Sequence, residues 1–197
     1  MRLQRIVLGS ASPRRLELLS SLGLQVDVVP SGYAEPRVED LSPAELAAYH
    51  AREKLAGVLE RLNGGRDAVI LAADTVVDID GVALGKPRDA AEATRMLESL
   101  SGREHEVHTA FALSTPRGQA HERATTRVRF YALDPEEIGE YVAGGEPFDK
   151  AGAYGIQGRA ASLVEAINGD FYTVMGLPLA RVVRTLRRLG FTLPAPK

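Results

Sequence analysis

Two adjacent arginines near the start of the chain could bind an anion. Arg14 and Arg15 follow directly on Ser12 and Pro13. Serine is a preferred N-cap residue and proline suits the first helical position, so the sequence predicts a helix that begins at Pro13. The first N–H groups of a helix have no intrahelical partner and lie at the positive end of its dipole. Because a guanidinium can also donate two hydrogen bonds to paired oxygens, we predict a phosphate site here. The open alternative is that both arginines lie on a solvated helix face.

A carboxylate beside a buried strand is the second candidate for chemistry. Asp74 directly follows residues 68–73, an apolar run typical of a central strand that is buried on both faces. Burying a carboxylate is costly unless it is paired, and the carboxyl ends of strands face the ligand crevice in open α/β sheets. We therefore predict that the strand ends at Ala73 and that Asp74 faces a ligand. A hairpin over residues 76–84 should then lead to Lys86.

A glycine-rich stretch, residues 146–158, is the third candidate. Its glycines and a proline make it neither a helix nor a simple strand, and glycine permits close approach of the backbone to a ligand. Polar side chains are interleaved at Asp149, Lys150, Tyr154 and Gln157. Loops of this length are usually functional or disordered, and the aromatic and apolar content of this one argues against disorder.

The elements that must position these candidates alternate along the chain. We expect strands over residues 6–8, 24–29, 104–113, 125–131 and 161–167, and helices over residues 13–22, 43–62, 89–100, 135–143 and 174–189. Glu35 falls in a loop over residues 30–41 and Lys54 in the second helix, and each taken alone is typical of a solvated side chain. His105 and His108 fall in a strand without a metal-binding motif or a nearby third ligand, so we expect ordinary strand residues.

The composition fits one domain of ordinary size. The chain has 197 residues, of which 45% are hydrophobic and 25% charged, and its net charge is −2. A general nucleic-acid binder would show a basic excess and is not expected. The chain has no cysteine, which excludes disulfides and cysteine nucleophiles. It shows neither a signal-peptide pattern nor an apolar run long enough to span a membrane, so we expect a cytoplasmic protein.

Taken together, these motifs resemble those of the Maf family in order and spacing over essentially the whole chain. The segments that carry the resemblance are residues 10–15, 73–75, 85–87, 100–103, 149–158 and 176–178. Each motif alone is weak, and the combination is specific.

The resemblance implies a fold and a reaction. A Maf-like chain is α/β, with a mixed, strongly bent central sheet, flanking helices and a deep cleft between two lobes, similar to the inosine triphosphate pyrophosphatases. Here it implies a single domain over residues 1–197. Family members hydrolyse nucleoside triphosphates between the α and β phosphates and need a divalent cation, Mg²⁺ or Mn²⁺. The implied partner is a nucleotide substrate. No membrane or nucleic-acid partner is expected, and a homodimer is compatible with the resemblance.

The resemblance also implies roles for residues at matching positions. Asp74 matches the proposed general base, which activates or orients the attacking water. The polar and cationic positions around the phosphates are matched by Ser10, Arg14, Arg15, Lys54 and Lys86. Glu35 matches a family acid and, with Asp74, is the implied metal ligand. Many relatives have two adjacent acids at this place, whereas this chain has Ala34 before Glu35, which could weaken metal binding.

Three positions resemble the branch of the family that prefers dTTP and UTP. These positions are Arg14, Thr75 and Gln157, and a sister branch that favours 7-methyl-GTP has different residues there. A glutamine amide offers both a donor and an acceptor. We hypothesise that Gln157 reads the O4 and N3–H edge that uracil and thymine share.

Two other functions stay open from the sequence alone. Maf proteins are linked to inhibition of septum formation, so the chain could be a nucleotide-responsive regulator of cell division with little turnover. The arginines at positions 181, 184, 187 and 188 of the last predicted helix suit its C-terminal dipole, but they could also bind nucleic acid. Pyrophosphate release that depends on Asp74 would favour catalysis over both.

Overall fold

A mixed sheet with helices on both faces forms the centre of the protein. The structure, a computed structural model, describes residues 1–36, 38–65 and 67–194. The strands are β1 (Arg5–Leu8), β2 (Gln25–Val28), β3 (Ile70–Ile79), β4 (Val82–Leu84), β5 (Glu104–Thr115), β6 (Gly118–Phe130) and β7 (Val164–Asn168). The α-helices are α1 (Pro13–Ser21), α2 (Pro43–Arg61), α3 (Ala90–Leu100), α4 (Pro135–Ala143), α5 (Phe171–Met175) and α6 (Leu179–Arg188).

The seven strands lie in the order β2-β1-β3-β5-β6-β7, with β4 paired to β3. β1 runs parallel to β2 and β3, and the remaining pairs are antiparallel. The predicted mixed α/β sheet with flanking helices is therefore confirmed. The division of one domain into two lobes stays a prediction.

The sheet forks along one edge of β3. β5 covers the other edge over most of the strand. On the forked edge, β1 runs beside β3 only as far as Leu71, and β4 pairs with it only from Val77 onward. Between these two residues, no strand in the described part of the chain pairs with this edge. The fork therefore leaves one edge of the middle of β3 without a partner among the described strands, although β3 is otherwise central to the sheet.

Separate hydrophobic clusters hold the helices on the two faces. Because successive side chains of a strand point to opposite faces, Ile70 and Ala72 face α2 and pack with its Leu55 and Val58. On the opposite face, one cluster joins β1 to α1 and α6, and another joins the far ends of β3 and β5 to α3 and α4. The fork lies between these two clusters, so each side of the opening packs on its own hydrophobic cluster.

Several predicted boundaries are wrong. The strand predicted over residues 125–131 is longer, since β6 begins at Gly118, and the strand predicted over residues 161–167 begins only at Val164, after a 3₁₀ helix over Gly158–Ser162.

β3 does not end at Ala73 but continues through Asp74, because the antiparallel partner β5 supports it beyond the end of β1. Asp74 still meets the opening, since its parallel neighbour β1 ends before it. The predicted helix over residues 174–189 is two helices, α5 and α6. Gly176 interrupts it with a φ of 109°, a value that favours glycine.

The predicted loop over residues 30–41 has neither a helix nor a strand where it is described, and residue 37 lies outside the described residues. Within the part of the chain that the structure covers, no helix combines the length and the apolar character needed to cross a membrane.

Candidate active site

A cleft of about 1260 Å³ opens at the fork in the sheet. Its walls come from the loop after β1, the loop before α2, the β3–β4 hairpin and the glycine-rich segment at residues 146–158. It brings together all of the predicted site residues, namely Ser10, Arg14, Arg15, Glu35, Lys54, Asp74, Thr75, Lys86 and Gln157. Residues that are distant in the sequence therefore share one cavity.

Three charged side chains meet at the centre of the cleft. Lys54 Nζ lies 2.6 Å from Asp74 Oδ1 and 2.6 Å from Glu35 Oε1. The side chains of Lys54 and Asp74 are buried, whereas that of Glu35 is 43% exposed. Burial raises the pKa of Glu35, but the hydrogen bond and charge of Lys54, with the charge of Lys86, outweigh burial and hold it below its usual value. Two carboxylates thus converge on one cationic nitrogen.

Strand and helix geometry places these groups. Asp74 points from β3 towards α2, and Thr75 points to the opposite face because side chains alternate along a strand. Lys54 lies one helical turn after His50 on α2, so both reach the same face of the helix. Glu35 reaches Lys54 from a loop and has a φ of 50°, which is uncommon for a residue other than glycine.

Arg15 is a buried cation whose hydrogen-bond acceptors are all neutral among the described residues. Its Nε donates to the Gly176 carbonyl at 2.8 Å, Nη1 to Ser10 Oγ at 3.0 Å and Nη2 to Thr75 Oγ1 at 3.0 Å. Only 8% of the residue is exposed. Burial lowers the pKa of Arg15, and the charges of Asp74 and Glu35 oppose this. Three hydrogen bonds thus orient the guanidinium, and no carboxylate of the described residues is bonded to it to cancel its charge.

Arg14 has a different environment. Its Nη1 donates to Asp149 Oδ2 at 3.0 Å, which links α1 to the glycine-rich segment across the cleft. Lys150 donates to the other oxygen of Asp149 and, at 2.6 Å, to the backbone carbonyl of Glu146. Burial raises the pKa of Asp149, but Lys150 and Arg14 outweigh it and lower the pKa. The guanidinium of Arg14 is therefore paired with an ionised carboxylate.

The start of α1 differs from its prediction in one detail. Ser12 is the N-cap residue, but its side chain makes no cap hydrogen bond. Its backbone N–H instead donates to Ser10 Oγ at 3.2 Å. Since Ser12, Pro13 and Arg14 all line the cleft, the positive end of the α1 dipole lies at the cavity. Lys86 and Gln157 are exposed residues of the same cavity.

The sequence did not predict a hydrogen-bonded pair in the cleft, which is formed by Tyr33 and His50. Tyr33 Oη lies 3.1 Å from His50 Nδ1, and both residues line the cavity. Burial and neighbouring acidic groups raise the pKa of Tyr33 to about 12, so its hydroxyl keeps its proton at neutral pH. The i, i+4 spacing of His50 and Lys54 was the available signal, because such residues share a helix face.

The expectation that no third ligand lies near His108 is wrong. Its Nε2 lies 3.3 Å from Asp78 Oδ2 and 3.6 Å from Glu106 Oε2. The possible ligand atoms of these residues lie within 4.8 Å of one another, so the group could hold a metal ion. β-pairing creates it, because Asp78 is opposite Glu106 in register and His108 is two positions further along β5. The three residues do not line the cleft.

Comparison with known proteins agrees with the motifs. A sequence profile described as "Maf-like protein" matches residues 5–189. The chain belongs to the Maf family. The matched range of the Maf profile contains every predicted site residue, from Ser10 to Gln157.

Curated Maf relatives match over nearly the full chain. A dTTP/UTP pyrophosphatase of Symbiobacterium thermophilum is 48% identical, covering 96% of this chain and 96% of that protein. Proteins with the same name from Carboxydothermus hydrogenoformans and Thermococcus gammatolerans are 47% and 48% identical, covering 95% and 94% of this chain and 100% and 97% of their own lengths. Among solved structures, the Ham1 protein of Staphylococcus aureus aligns with 64% of this chain and 72% of its own at 16% identity and a TM-score of 0.44.

Proposed function

We propose that this Maf protein hydrolyses dTTP and UTP between the α and β phosphates, giving a nucleoside monophosphate and pyrophosphate. The observation that carries the proposal is the charge arrangement of the cleft. Arg14, Arg15 and Lys86 provide cations beside the paired carboxylates of Asp74 and Glu35. A polyanion can bind to these cations while a carboxylate activates or orients the attacking water. The relatives named dTTP/UTP pyrophosphatase share this chain over nearly its full length, which supports the choice of substrate.

In the proposed mechanism, Asp74 accepts a proton from the attacking water. The water oxygen then bonds to a phosphorus of the α–β bridge, and the bond from that phosphorus to the bridging oxygen breaks. Arg14, Arg15 and Lys86 stabilise the negative charge that develops on the phosphoryl oxygens. Serine and backbone donors at the start of α1 orient the phosphate chain before reaction.

The residues at the centre of the cleft fit a divalent cation. Glu35 and Asp74 each place an oxygen 2.6 Å from the same cationic nitrogen of Lys54, and Mg²⁺ and Mn²⁺ prefer oxygen ligands. When bound there, the ion would neutralise charge on the phosphoryl oxygens. Lys54 would then be free to contact the phosphates, which agrees with its predicted role.

The test is pyrophosphate release by the purified protein from dTTP, UTP, CTP and GTP, with Mg²⁺ or Mn²⁺. We expect release from dTTP and UTP and a loss of about 10²–10⁴-fold in kcat for Asp74→Asn, the range for loss of a general base. Asp78→Asn is the matched control, because Asp78 lies on the same face of the same strand but outside the cleft. Full activity of Asp74→Asn would remove Asp74 from the base role. Tight nucleotide binding without turnover in the wild type would favour the nucleotide-responsive regulator.

The proposed specificity has its own test. Gln157 is exposed in the cleft, and we propose that its amide pairs with the O4 and N3–H edge of the base. Replacing Gln157 by glutamate removes the donor and keeps the size, so selectivity for UTP over GTP should fall. Unchanged selectivity with wild-type kcat would contradict this pairing.

A further inference from the structure

A threonine behind the cleft terminates the hydrogen-bond network of Arg15. Thr109 lies on β5 directly opposite Thr75 in the antiparallel register. It is fully buried and is not among the residues that line the cleft. Its Oγ1 lies 2.9 Å from Thr75 Oγ1 and 2.7 Å from the carbonyl oxygen of Thr173.

The direction of each hydrogen bond in this network follows from the chemistry of its ends. Arginine can only donate, so Thr75 Oγ1 accepts from Arg15 Nη2. The Thr173 carbonyl can only accept, so Thr109 donates to it. Because each hydroxyl has a single proton, Thr75 must donate to Thr109. The network therefore has one orientation, in which the Thr75 lone pair points to the guanidinium.

Thr109 also acts on Arg15 by a second route. Thr173 belongs to α5, and the residue that ends this helix, Gly176, accepts from Arg15 Nε through its carbonyl oxygen at 2.8 Å. The bond from Thr109 to Thr173 thus fixes α5 against β5. One buried hydroxyl consequently supports two of the three acceptors that hold the guanidinium.

We infer that Thr109 is a positioning residue for Arg15, and that loss of its hydroxyl weakens binding of a phosphate chain. The inference rests on the proposed function in one respect, namely that Arg15 contacts the phosphates. A buried guanidinium with only neutral acceptors keeps its charge for an anion. Its fork is useful only when it is oriented, because two parallel hydrogen bonds to phosphate require a fixed plane.

The experiment compares Thr109→Val with Thr109→Ser. Valine keeps the shape and removes the hydroxyl, whereas serine keeps the hydroxyl. Thr185→Val is the matched control, because Thr185 is equally buried and its hydroxyl donates to Glu122 away from the cleft. The readouts are the Kd of inorganic tripolyphosphate by calorimetry and the kcat and KM for dTTP. Thr109→Ala replaces the valine variant if that variant does not fold.

We expect Thr109→Val to weaken tripolyphosphate binding about tenfold, which corresponds to about 1.4 kcal/mol, and to raise KM more than it lowers kcat. Thr109→Ser and Thr185→Val should bind like the wild type. If Thr109→Val binds tripolyphosphate as tightly as the wild type, the inference is wrong while the proposed function stands. If the wild type releases pyrophosphate but binds no tripolyphosphate, the inference about binding of a phosphate chain fails while the proposed function stands. If the wild type binds tripolyphosphate but hydrolyses no nucleotide, the proposed function fails and the comparison of variants still decides the inference.

Discussion

Replacing Lys54 by methionine should destabilise the protein through the carboxylate that it leaves behind. In the wild type, Lys54 Nζ is 2.6 Å from Asp74 Oδ1, and the two side chains are only 10% and 7% exposed. Removing one partner of a buried ion pair typically costs about 3–5 kcal/mol. Because the pair borders a cleft open to water, we expect the lower end, about 3 kcal/mol. Glu35 adds little to this loss, because its side chain is 43% exposed and water solvates it when Lys54 is removed.

Urea unfolding measures this loss. With a slope of about 1–3 kcal/mol/M for a protein of modest size, the midpoint should fall by roughly 1–3 M. Asp74→Asn tests the cause, because the amide is neutral and tolerates the missing cation. We expect the double variant Lys54→Met/Asp74→Asn to be more stable than Lys54→Met alone. Equal midpoints for these two proteins would refute the idea that the unpaired Asp74 carboxylate causes the loss.

A divalent cation should partly reverse the same loss. In Lys54→Met the two carboxylates no longer share an ammonium, so Mg²⁺ has no competitor for them. An ion at one hundred times its Kd stabilises the folded state by about 2.7 kcal/mol. Mg²⁺ should therefore raise the midpoint of Lys54→Met more than that of the wild type. Equal increases would mean that the ion binds elsewhere, for example at the group that contains His108.

Three further changes test other parts of the structure. Burial lowers the pKa of His105 from 6.5 to about 4, so the folded protein should lose up to about 3 kcal/mol as the pH falls from 6.5 to 4, and His105→Gln should remove this loss in urea titrations at each pH. Asp149→Asn should free Arg14 and tighten tripolyphosphate binding by up to about fivefold in calorimetry, since an exposed ion pair contributes at most about 1 kcal/mol. Gly9→Ala should cost about 1–3 kcal/mol in urea unfolding, because the added Cβ would lie 2.7 Å from Val58 Cγ2.

Each of these changes has a contradicting outcome. A pH dependence of His105→Gln equal to that of the wild type would exclude His105 as its cause. Weaker tripolyphosphate binding by Asp149→Asn would mean that the carboxylate assists binding. For Gly9→Ala the control is Gly139→Ala on α4, where no atom of the described residues lies within 4 Å of the added Cβ. Equal losses in the two alanine variants would show that close packing at Gly9 is not the reason.

The local signals of the sequence predicted most of the helices and strands but not the long-range pairing. The Ser42–Glu45 capping box is present at the start of α2, since capping depends on residues three positions apart. The continuation of β3 through Asp74 could not be predicted from such local signals. It depends on β5, a strand about thirty residues later whose register with β3 is set by tertiary packing.

The composition of the site could be predicted from motifs, whereas its internal pairing could not. Family resemblance gathered Lys54, Asp74 and Glu35 into one site, and the structure places them in one cleft. No sequence pattern indicated that Lys54 would bridge both carboxylates. The group at Asp78, Glu106 and His108 was missed for the same reason, because it exists only through the register of β3 and β5.

The register of β3 determines which helix each of its two adjacent site residues contacts. Asp74 and Thr75 are adjacent, yet one bonds to Lys54 of α2 and the other accepts from Arg15 of α1. Alternation along the strand sends them to opposite faces, and both are reachable from one cleft only because the sheet forks there. A slip of one residue would exchange the faces; in one direction it would place the Thr75 hydroxyl against the lysine, and in the other direction it would place the Asp74 carboxylate against the arginine. The carboxylate would then cancel the charge that Arg15 offers to phosphate. The long antiparallel pairing with β5 opposes this slip, so this neighbouring strand maintains the separation between the groups proposed to activate water and those proposed to bind phosphate.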